Sequence, residues 1–328
     1  GLVVDLWGSS TMRTAGEDFA MALHLAGIEP RWDQASGRLT GFEIIALALL
    51  GRPRIDVTLR VSGLFRDVFA PLAQLFEAAS EALARHDWEG CENPYARRVA
   101  RVFGPRPGQY GVGMAALRDD FSRVARDAAG QAWLAASSWS FTADGAMQPD
   151  RSGIEARLTH ADAFVHVQDL TETDLLLAAD YPAHEAGVAA AAASLSAAPP
   201  SLYHLDASRP DAPRARLLTE EIARVVRARA ANPLWIAGMM RHGFRGAAEI
   251  AATLEHMAAF AHLADAVPAH LFDLYHDATL GHDDVRAFLA RENPAALSAI
   301  ETCFARLHEA SLWMTRRNSI AVSLREAS

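Results

Sequence analysis

The feature that most constrains this chain is the alternation, through its first half, of short β-branched runs with longer segments of helical period. The segments 16–26 and 64–85 space their apolar residues by three and four, as helices packed on a sheet do. Because strands that alternate with helices form α/β layers, we expect a partly parallel sheet flanked by helices. The predicted strands are residues 2–7, 54–61, 163–168 and 202–206.

The pattern changes near Leu217, beyond which segments of helical period are separated by Gly, Asn and Pro residues. We therefore expect an α/β domain over residues 1–213 and a mostly helical C-terminal region over residues 214–328. The Gly- and Pro-rich segments 101–113 and 142–153 predict two loops. The chain starts without an initiator Met or a signal-peptide pattern, which predicts a fragment of a longer chain.

Composition argues against several classes of function. The 31 Lys and Arg residues are outnumbered by 40 Asp and Glu residues and form no basic tract, so we expect no nucleic-acid partner. The Ala-rich segment 188–198 is shorter than the roughly 18 apolar residues that cross a bilayer, so we expect no membrane partner. Cys91 and Cys303 lie far apart without a CxxC pair, which predicts neither a disulfide framework nor a thiolate zinc site and favours the cytoplasm.

Two predicted strands carry imidazole and carboxylate groups near their carboxyl ends. His166 and Gln168 share a face of the third strand and Asp169 follows it, while His204 and Asp206 share a face of the fourth. Open α/β sheets bind ligands at this end of their strands. Such groups either coordinate a divalent cation or act as a base with its orienting acid. The alternative is that each His is a hydrogen-bonded, half-buried strand residue.

The segment 7–18, WGSSTMRTAGED, follows a predicted strand and precedes a predicted helix. Arg13 and the backbone N–H groups of a helix N-terminus favour the binding of an anion here. The alternative is that Ser10, Thr11 and Thr14 only cap the helix. Because the segment matches neither the P-loop pattern nor GxGxxG, the sequence predicts no site for nucleotide hydrolysis.

Another strand-to-helix junction, SGLFRD, carries Arg66 and Asp67. These side chains either face one crevice together or form a local ion pair. The sequence contains no GxSxG elbow, no HExxH helix and no Cys–His nucleophile arrangement, which disfavours a hydrolase.

The segment 232–249 predicts two helices joined by a turn that presents Arg241, His242 and Arg245. Since the guanidinium fork binds carboxylates in a bidentate manner, this turn is suited to an acidic ligand. The alternative is that Arg245 pairs with Glu249 and that His242 caps the first helix.

Five segments together resemble the large, tetrapyrrole-binding subunit of aerobic cobaltochelatases, the CobN-type family, and occur in that family's order. Five long motifs in matching order are more specific than one short pattern. Family members are much longer, so the chain resembles their C-terminal part. The segments are residues 7–18 (WGSSTMRTAGED), 52–67 (RPRIDVTLRVSGLFRD), 101–113 (RVFGPRPGQYGVG), 164–169 (FVHVQD) and 232–250 (NPLWIAGMMRHGFRGAAEI).

The resemblance implies ATP-dependent insertion of Co²⁺, the substrate metal, into hydrogenobyrinic acid a,c-diamide, a corrin-type ring. It also implies that ATP and Mg²⁺ are used by partner subunits, an AAA+ ATPase and its adaptor, while this chain holds the macrocycle and the metal. The absence of a P-loop pattern agrees with that division of roles.

Insertion requires that Co²⁺ lose water, that the ring deform and that pyrrolic protons leave, so an imidazole or carboxylate beside the ring would serve as ligand or base. On this basis the catalytic candidates are His166, His242 and His204, in that order. His166 and Asp169 are the candidate metal ligands. The candidate substrate-binding residues are Arg13, Arg66, Arg241, Arg245, Gln168 and Tyr110.

Two alternatives remain open. The sister family, the magnesium chelatase large subunit, shares the SGLFRD theme and the NPxWxxGMxxHG turn, and it would prefer protoporphyrin IX. The segments VHVQD, SLYHLDASRP and RHGFRGAAEI are closer to the cobalt branch. From a different class, the chain would be a non-catalytic scaffold that docks AAA+ partners through its helical C-terminal region.

Overall fold

The computed structural model describes residues 1–85, 93–114, 120–317 and 320, so Cys91 lies outside the described residues. The chain divides into two compact units, each discontinuous in sequence. The predicted boundary between residues 213 and 214 stays a prediction. The first unit comprises Gly1–Gly113, Gln131–Asp169 and Ala192–Ala215, and the second comprises Met114–Gly130, Leu170–Ala191 and Arg216–Ser328.

The strands form one eight-stranded sheet, in the order β10-β9-β8-β1-β4-β5-β6-β7, and a separate β2–β3 hairpin. In chain order they are β1 (Leu2–Leu6), β2 (Ile28–Trp32), β3 (Leu39–Ile44), β4 (Val57–Val61), β5 (Val102–Gly104), β6 (Trp139–Phe141), β7 (Met147–Pro149), β8 (Ala163–Gln168), β9 (Ser201–Asp206) and β10 (Arg214–Leu217).

The centre of the sheet is parallel. β1 pairs in parallel with both β4 and β8, β8 with β9, and β4 with β5, whereas β5, β6 and β7 pair antiparallel. The four predicted strands correspond to β1, β4, β8 and β9. The predicted fold class, a partly parallel sheet flanked by helices and followed by a helical C-terminal region, is confirmed.

The apolar core of the first unit lies on one face of this sheet. Val4, Leu6, Leu59 and Val61 pack there with Phe76 and other side chains of the adjoining helices. Because side chains alternate along a strand, the residues between them point to the opposite face. The helices are α1 (Gly8–Arg13), α2 (Glu17–Ala26), α3 (Leu47–Leu50), α4 (Gly63–Val68), α5 (Ala70–Arg85), α6 (Arg123–Ala135), α7 (Arg151–Thr159) and α8 (Gly187–Ser194).

Three predictions of local structure need correction. The segment 64–85 is two helices, because α4 ends at Val68 with Phe69 as its C-cap, and α5 begins at Ala70. The predicted loop 101–113 contains β5, and the predicted loop 142–153 contains β7 and the first turn of α7. β5 and β7 have only three residues each, too few to show a strand period among Gly and Pro residues.

Beyond β10 the chain is helical, as predicted. Asn232 and Asn293 begin α10 and α14 by accepting a hydrogen bond from a backbone N–H, and each precedes a Pro at the first helical position. Among the described residues, no helix combines the length and apolarity that a membrane crossing needs. The helices are α9 (Leu218–Val225), α10 (Pro233–Met240), α11 (Gly243–Ala264), α12 (Ala269–Ala278), α13 (Asp283–Glu292) and α14 (Pro294–Glu309), with π-helical turns at Pro182–Ala186 and Val226–Ala230.

Candidate functional site

A row of polar side chains crosses the centre of the sheet. Asp5 of β1 is paired in register with Arg60 of β4 and with His166 of β8, and His166 is paired with His204 of β9. Directly paired residues point to the same side of a sheet, so the four side chains share the face opposite the apolar core. Each of the four residues is only 1% exposed.

Asp5 lies at the centre of this row. Its Oδ1 accepts a hydrogen bond from Nη1 of Arg60 at 3.0 Å, and its Oδ2 accepts one from Nε1 of Trp7 at 2.9 Å. The same Oδ2 lies 2.9 Å from Nδ1 of His166. Arg60 also donates from Nε to the Ser137 hydroxyl at 3.2 Å. The buried carboxylate is therefore surrounded by donors, which offsets the cost of removing it from water.

The two strand histidines lie side by side, as the alternation predicted. The ring centroids of His166 and His204 are 6.3 Å apart, and the Trp7 ring packs edge-on against His166 at 4.5 Å. Two residues further along the same strands, Gln168 is paired in register with Asp206. Both histidines are fully buried rather than half-buried. The arrangement provides two imidazoles and an amide on one face, near the carboxyl ends of parallel strands.

Arg13 is held at the carboxyl end of β8. Its Nε donates to Oδ2 of Asp169 at 2.6 Å and its Nη2 to Oδ1 at 2.7 Å. Within the described residues no group of three or more His, Cys, Asp or Glu side chains is arranged to hold a metal ion. Both carboxylate oxygens of Asp169 are thus occupied by Arg13. The role of Asp169 as a metal ligand together with His166 stays a prediction.

The hydroxyl groups of the segment 7–18 do not cap a helix N-terminus. Thr11 donates to the backbone oxygen of Trp7 and to Asp18, and Thr14 donates to the backbone oxygen of Ser10. Neither α1 nor α2 has a side-chain hydrogen bond at its N-cap. The alternative in which Ser10, Thr11 and Thr14 cap the helix is therefore wrong, and the Thr11 and Thr14 hydroxyls bond to carbonyl and carboxylate oxygens instead.

Arg66 organises the loop that follows β5. Its Nη1 donates to three backbone carbonyls of residues 105–109, and its Nε and Nη2 donate to Asp67 at 2.6 and 2.8 Å. The Tyr110 hydroxyl also donates to Asp67, and these bonds lower the pKa of that carboxyl. The local ion pair is present. Arg66 is 4% exposed, whereas Tyr110 is 63% exposed and the Asp67 side chain 41%, so Tyr110 and Asp67 are the members of this cluster that meet solvent.

The helices that follow β1 and β4 carry exposed apolar side chains. Met12 on α1 is 57% exposed and Leu64 on α4 is 40% exposed. The two helices approach closely at Gly8, which has no side chain. A Cβ atom added there would lie 2.5 Å from the backbone nitrogen of Phe65. This edge of the first unit thus combines apolar surface with arginine and carboxylate groups, which is suited to an apolar ring with acidic substituents.

The turn between α10 and α11, in the second unit, is shorter than predicted. α11 begins at Gly243, so Arg245 lies in its first helical turn, with a side chain that is 87% exposed and 4.0 Å from Glu249. Arg241 is the C-terminal cap of α10, and His242 makes no side-chain capping bond. The expected pair with Glu249 is present but weak, since exposed pairs contribute little. Both guanidinium groups are exposed.

α10 is an apolar helix with little burial. Only Ile236 of its eight residues is buried, and Leu234 is 82% exposed. Phe244, in the first turn of α11, is 67% exposed. Together with the two arginines these side chains give the second unit an apolar surface bordered by positive charge.

Asp5 and Arg60 were missed as site residues, although the sequence carries a signal for them. Each is the single charged residue of an otherwise apolar or uncharged strand, LVVDL and VTLRV. Strands buried on both faces of a parallel sheet rarely carry charged residues unless these are paired. One acid and one base in two such strands therefore predict a buried ion pair between them.

Comparison with known proteins identifies the class to which this fold and site belong. The sequence model of the family described as CobN/Magnesium Chelatase matches residues 2–320. A Sinorhizobium sp protein described as aerobic cobaltochelatase subunit CobN is 41% identical over 339 residues, covering 97% of this chain and 27% of its own length. The catalytic subunit of cobaltochelatase from Mycobacterium tuberculosis matches with a TM-score of 0.91 at 31% identity, covering 99% of this chain and 29% of that one.

A chloroplastic protein of Oryza sativa subsp. japonica described as magnesium-chelatase subunit ChlH is 26% identical over 334 residues, covering 96% of this chain and 24% of its own. The relatives are thus named as metal chelatases of two kinds. The chain belongs to the CobN/magnesium chelatase family, and the resemblance to its CobN branch is confirmed. The chain spans about a quarter of the length of the curated relatives it matches.

Proposed function

We propose that this chain is part of the tetrapyrrole-binding subunit of an ATP-dependent cobaltochelatase, which inserts Co²⁺ into hydrogenobyrinic acid a,c-diamide in cobalamin biosynthesis. The observation that supports this most is the buried row of Asp5, His166 and His204, in a chain whose relatives are named as cobaltochelatase subunits. Imidazole is a good ligand for Co²⁺ and a competent base near neutral pH.

In this proposal His166 acts first, as a transient Co²⁺ ligand or as the base that receives a pyrrolic proton. His204, its neighbour in register, and His242 of the second unit are further candidates for these roles. The exposed Met12, Leu64 and Tyr110 supply apolar contact for the ring. Burial of the ring against such side chains and removal of water from the metal both lower the barrier to insertion.

The arginines are the proposed partners of the acidic side chains of the macrocycle. Arg241 and Arg245 are exposed, and Arg13 keeps 41% of its side chain exposed despite its bond to Asp169. These three offer N–H donors to a bound carboxylate. Arg66 contributes differently, because its buried fork holds the loop that presents Tyr110. Gln168 is the proposed amide contact.

ATP hydrolysis is assigned to partner subunits, an AAA+ ATPase with its adaptor, which also bind Mg²⁺. The sequence of this chain contains no P-loop pattern to support nucleotide hydrolysis here. The assembly is proposed to be cytoplasmic. Co²⁺ enters as the substrate metal rather than as a resident cofactor.

Magnesium insertion into protoporphyrin IX is the second candidate, favoured by the match to a magnesium-chelatase subunit. The lower identity of that match, 26% against 41%, favours cobalt. A third candidate, a non-catalytic scaffold that docks AAA+ partners, draws support from the exposed apolar surface of α10.

A titration of the purified chain with hydrogenobyrinic acid a,c-diamide and, separately, with protoporphyrin IX tests the proposal. Trp7, one of seven tryptophans in the chain, packs on His166, so its quenching contributes to the fluorescence change when a ring binds at this site. We expect saturable quenching by the corrinoid only. Arg241→Gln and Arg245→Gln each weaken binding by about tenfold, the effect of losing one charge-assisted hydrogen bond of roughly 1.5 kcal/mol.

The control is Arg286→Gln on α13, since Arg286 is an exposed arginine whose ion pair with Glu301 lies on the surface. It leaves affinity unchanged. Quenching by protoporphyrin IX alone would move the assignment to magnesium chelatase. A folded chain that binds neither ring would contradict tetrapyrrole binding by this part of the subunit and favour the scaffold.

A further inference from the structure

Two donors force Asp5 to act as an acceptor at both of its oxygens. Arg60 donates to Oδ1 and Trp7 donates to Oδ2. Neither a guanidinium nor an indole N–H can accept a hydrogen bond. The guanidinium charge beside Oδ1, together with the two donated hydrogen bonds, favours the ionised form of Asp5 over the protonated one. Arg60 balances that charge at 3.0 Å.

An ionised Asp5 determines which nitrogen of His166 carries hydrogen. Oδ2 of Asp5 lies 2.9 Å from Nδ1 of His166, and the two residues are directly paired in register. Because a carboxylate only accepts, the hydrogen of the neutral ring must be on Nδ1. Trp7, which bonds to the same oxygen and packs against the ring, restricts rotation of the imidazole.

We propose that Asp5 is a positioning residue, which with Arg60 holds His166 as the Nδ1–H tautomer so that Nε2 carries the lone pair. The use of that lone pair rests on the proposed function. Coordination of Co²⁺ and acceptance of a pyrrolic proton require the same electron pair on the same atom, so the tautomer matters for either role.

In the base role the proton balance is complete. The pyrrole N–H bond breaks, the pyrrole nitrogen keeps its electron pair for Co²⁺, and a new bond forms between the proton and Nε2 of His166. Asp5 stays ionised and holds the resulting imidazolium until the proton passes to water. A catalytic Asp–His pair in an unrelated hydrolase works in this way, and its amide variant fails through the wrong tautomer.

The test is nuclear magnetic resonance of the ¹³C,¹⁵N-histidine-labelled chain, with the His166 signals identified by their loss in His166→Gln. The ¹³Cδ2 shift and the long-range ¹H–¹⁵N pattern distinguish the two neutral tautomers. We expect Nδ1–H in the wild type. In Asp5→Asn the single amide oxygen faces the Arg60 cation, so the amide N–H₂ faces His166, and we expect Nε2–H.

Asp18→Asn is the matched control, because Asp18 is also a buried carboxyl of the first unit, 3% exposed, and bonds to Thr11 rather than to the row. It leaves the His166 pattern unchanged. Nε2–H in the wild type overturns the proposal even if Asp5→Asn does not fold. Nδ1–H retained in a folded Asp5→Asn chain also overturns it.

A second measurement separates this inference from the proposed function. In the complete chelatase assembly we expect Asp5→Asn to lower the turnover of metal insertion by about 10²–10⁴-fold, the usual contribution of a positioned acid or base, with the KM for corrinoid unchanged. A changed tautomer with wild-type turnover would remove His166 from the chemistry while the tautomer assignment stands. An equal loss in Asp18→Asn would show that the effect is structural and would overturn the positioning role.

Discussion

Glu77 on α5 is a buried carboxyl that ties the helix to the sheet. Its Oε1 accepts backbone hydrogen bonds from Arg101 at 2.6 Å and Val102 at 2.5 Å, at the start of β5. Burial nevertheless raises the pKa of Glu77 from 4.5 to about 7, because desolvation of the charged form outweighs these bonds. The carboxyl therefore binds its proton more tightly in the folded state than in the unfolded one.

The consequence is a pH dependence of stability with a definite sign. A raised pKa in the folded state stabilises fully below the unfolded value of 4.5, and this contribution is lost as the pH rises through about 7. Glu77→Gln keeps the accepting oxygen and cannot ionise. We expect the stability of the variant relative to wild type to rise by on the order of 2 kcal/mol between pH 5 and pH 8, measured by urea unfolding.

Glu81→Gln serves as the control for this prediction. Glu81 lies one turn further along α5 with about half of its side chain exposed, and its partner is the exposed Arg85. Because the Glu81 charge contributes least among the causes that set the pKa of Glu77, its substitution changes the pH dependence of unfolding only slightly. A Glu77→Gln chain that kept the wild-type slope between pH 5 and pH 8 would contradict the assignment of that slope to Glu77.

Some residues of the candidate site were predictable from the sequence and others were not. His166, Gln168, His204 and Asp206 were found because a period of two places them on one face, and the register brings them together. Asp5 was overlooked because its importance depends on pairing across about 160 residues of sequence with His166. No local pattern specifies such a pairing.

At the scale of elements, α10 and α11 pack through a glycine. A side chain at Gly246 would overlap the backbone oxygen of Met239, so only Gly permits this approach. In an ordinary helix interior, Gly→Ala stabilises by about 1 kcal/mol. Here we expect Gly246→Ala to destabilise by roughly 1–3 kcal/mol through overpacking, measured by chemical unfolding.

Gly238→Ala on α10 is the matched control for Gly246→Ala, since it makes the same substitution at a helix position with free space. The nearest atom to a side chain there is Nη2 of Arg241, at 3.7 Å, which leaves room for a methyl group. The expected effect is a gain of roughly 0.5–1 kcal/mol, opposite in sign to that at Gly246. Stabilisation by both substitutions would show that the helices do not meet at Gly246.

The longer strands of the eight-stranded sheet were predictable from the sequence, whereas its shorter strands were not. β1, β4, β8 and β9 have five or six residues each, and they were found from short runs rich in apolar or β-branched residues. β5, β6 and β7 have three residues each, and their strand character comes from pairing with neighbours rather than from local period. The β2–β3 hairpin was missed as well, because its strands carry Pro, Gly and charged residues.

At the scale of the whole molecule, a bound ring stabilises the folded chain by mass action. A ligand that binds only the native state at a concentration of 100 times its Kd adds about 2.7 kcal/mol to the free energy of unfolding. We expect hydrogenobyrinic acid a,c-diamide to raise the Tm by several degrees and protoporphyrin IX at equal concentration to raise it less. Differential scanning fluorimetry with an extrinsic dye measures this independently of tryptophan quenching.

Equal shifts with both rings would contradict selectivity for the corrinoid. The Arg241→Gln chain provides the control, since the weaker affinity expected for it must reduce the shift without changing the Tm of the free chain. A shift that survived both arginine substitutions at full size would place the ring elsewhere on the molecule.

The order of the strands has a consequence for how the protein is made. β1 lies between β4 and β8, and β8 lies between β1 and β9, so the partner of the first strand on one side is about 160 residues later in the chain. During synthesis on the ribosome, β1 cannot form its pairing with β8 until β8 has left the ribosome. Asp5 and Arg60 are synthesised before His166, so their two charges can neutralise each other before the imidazole joins the sheet.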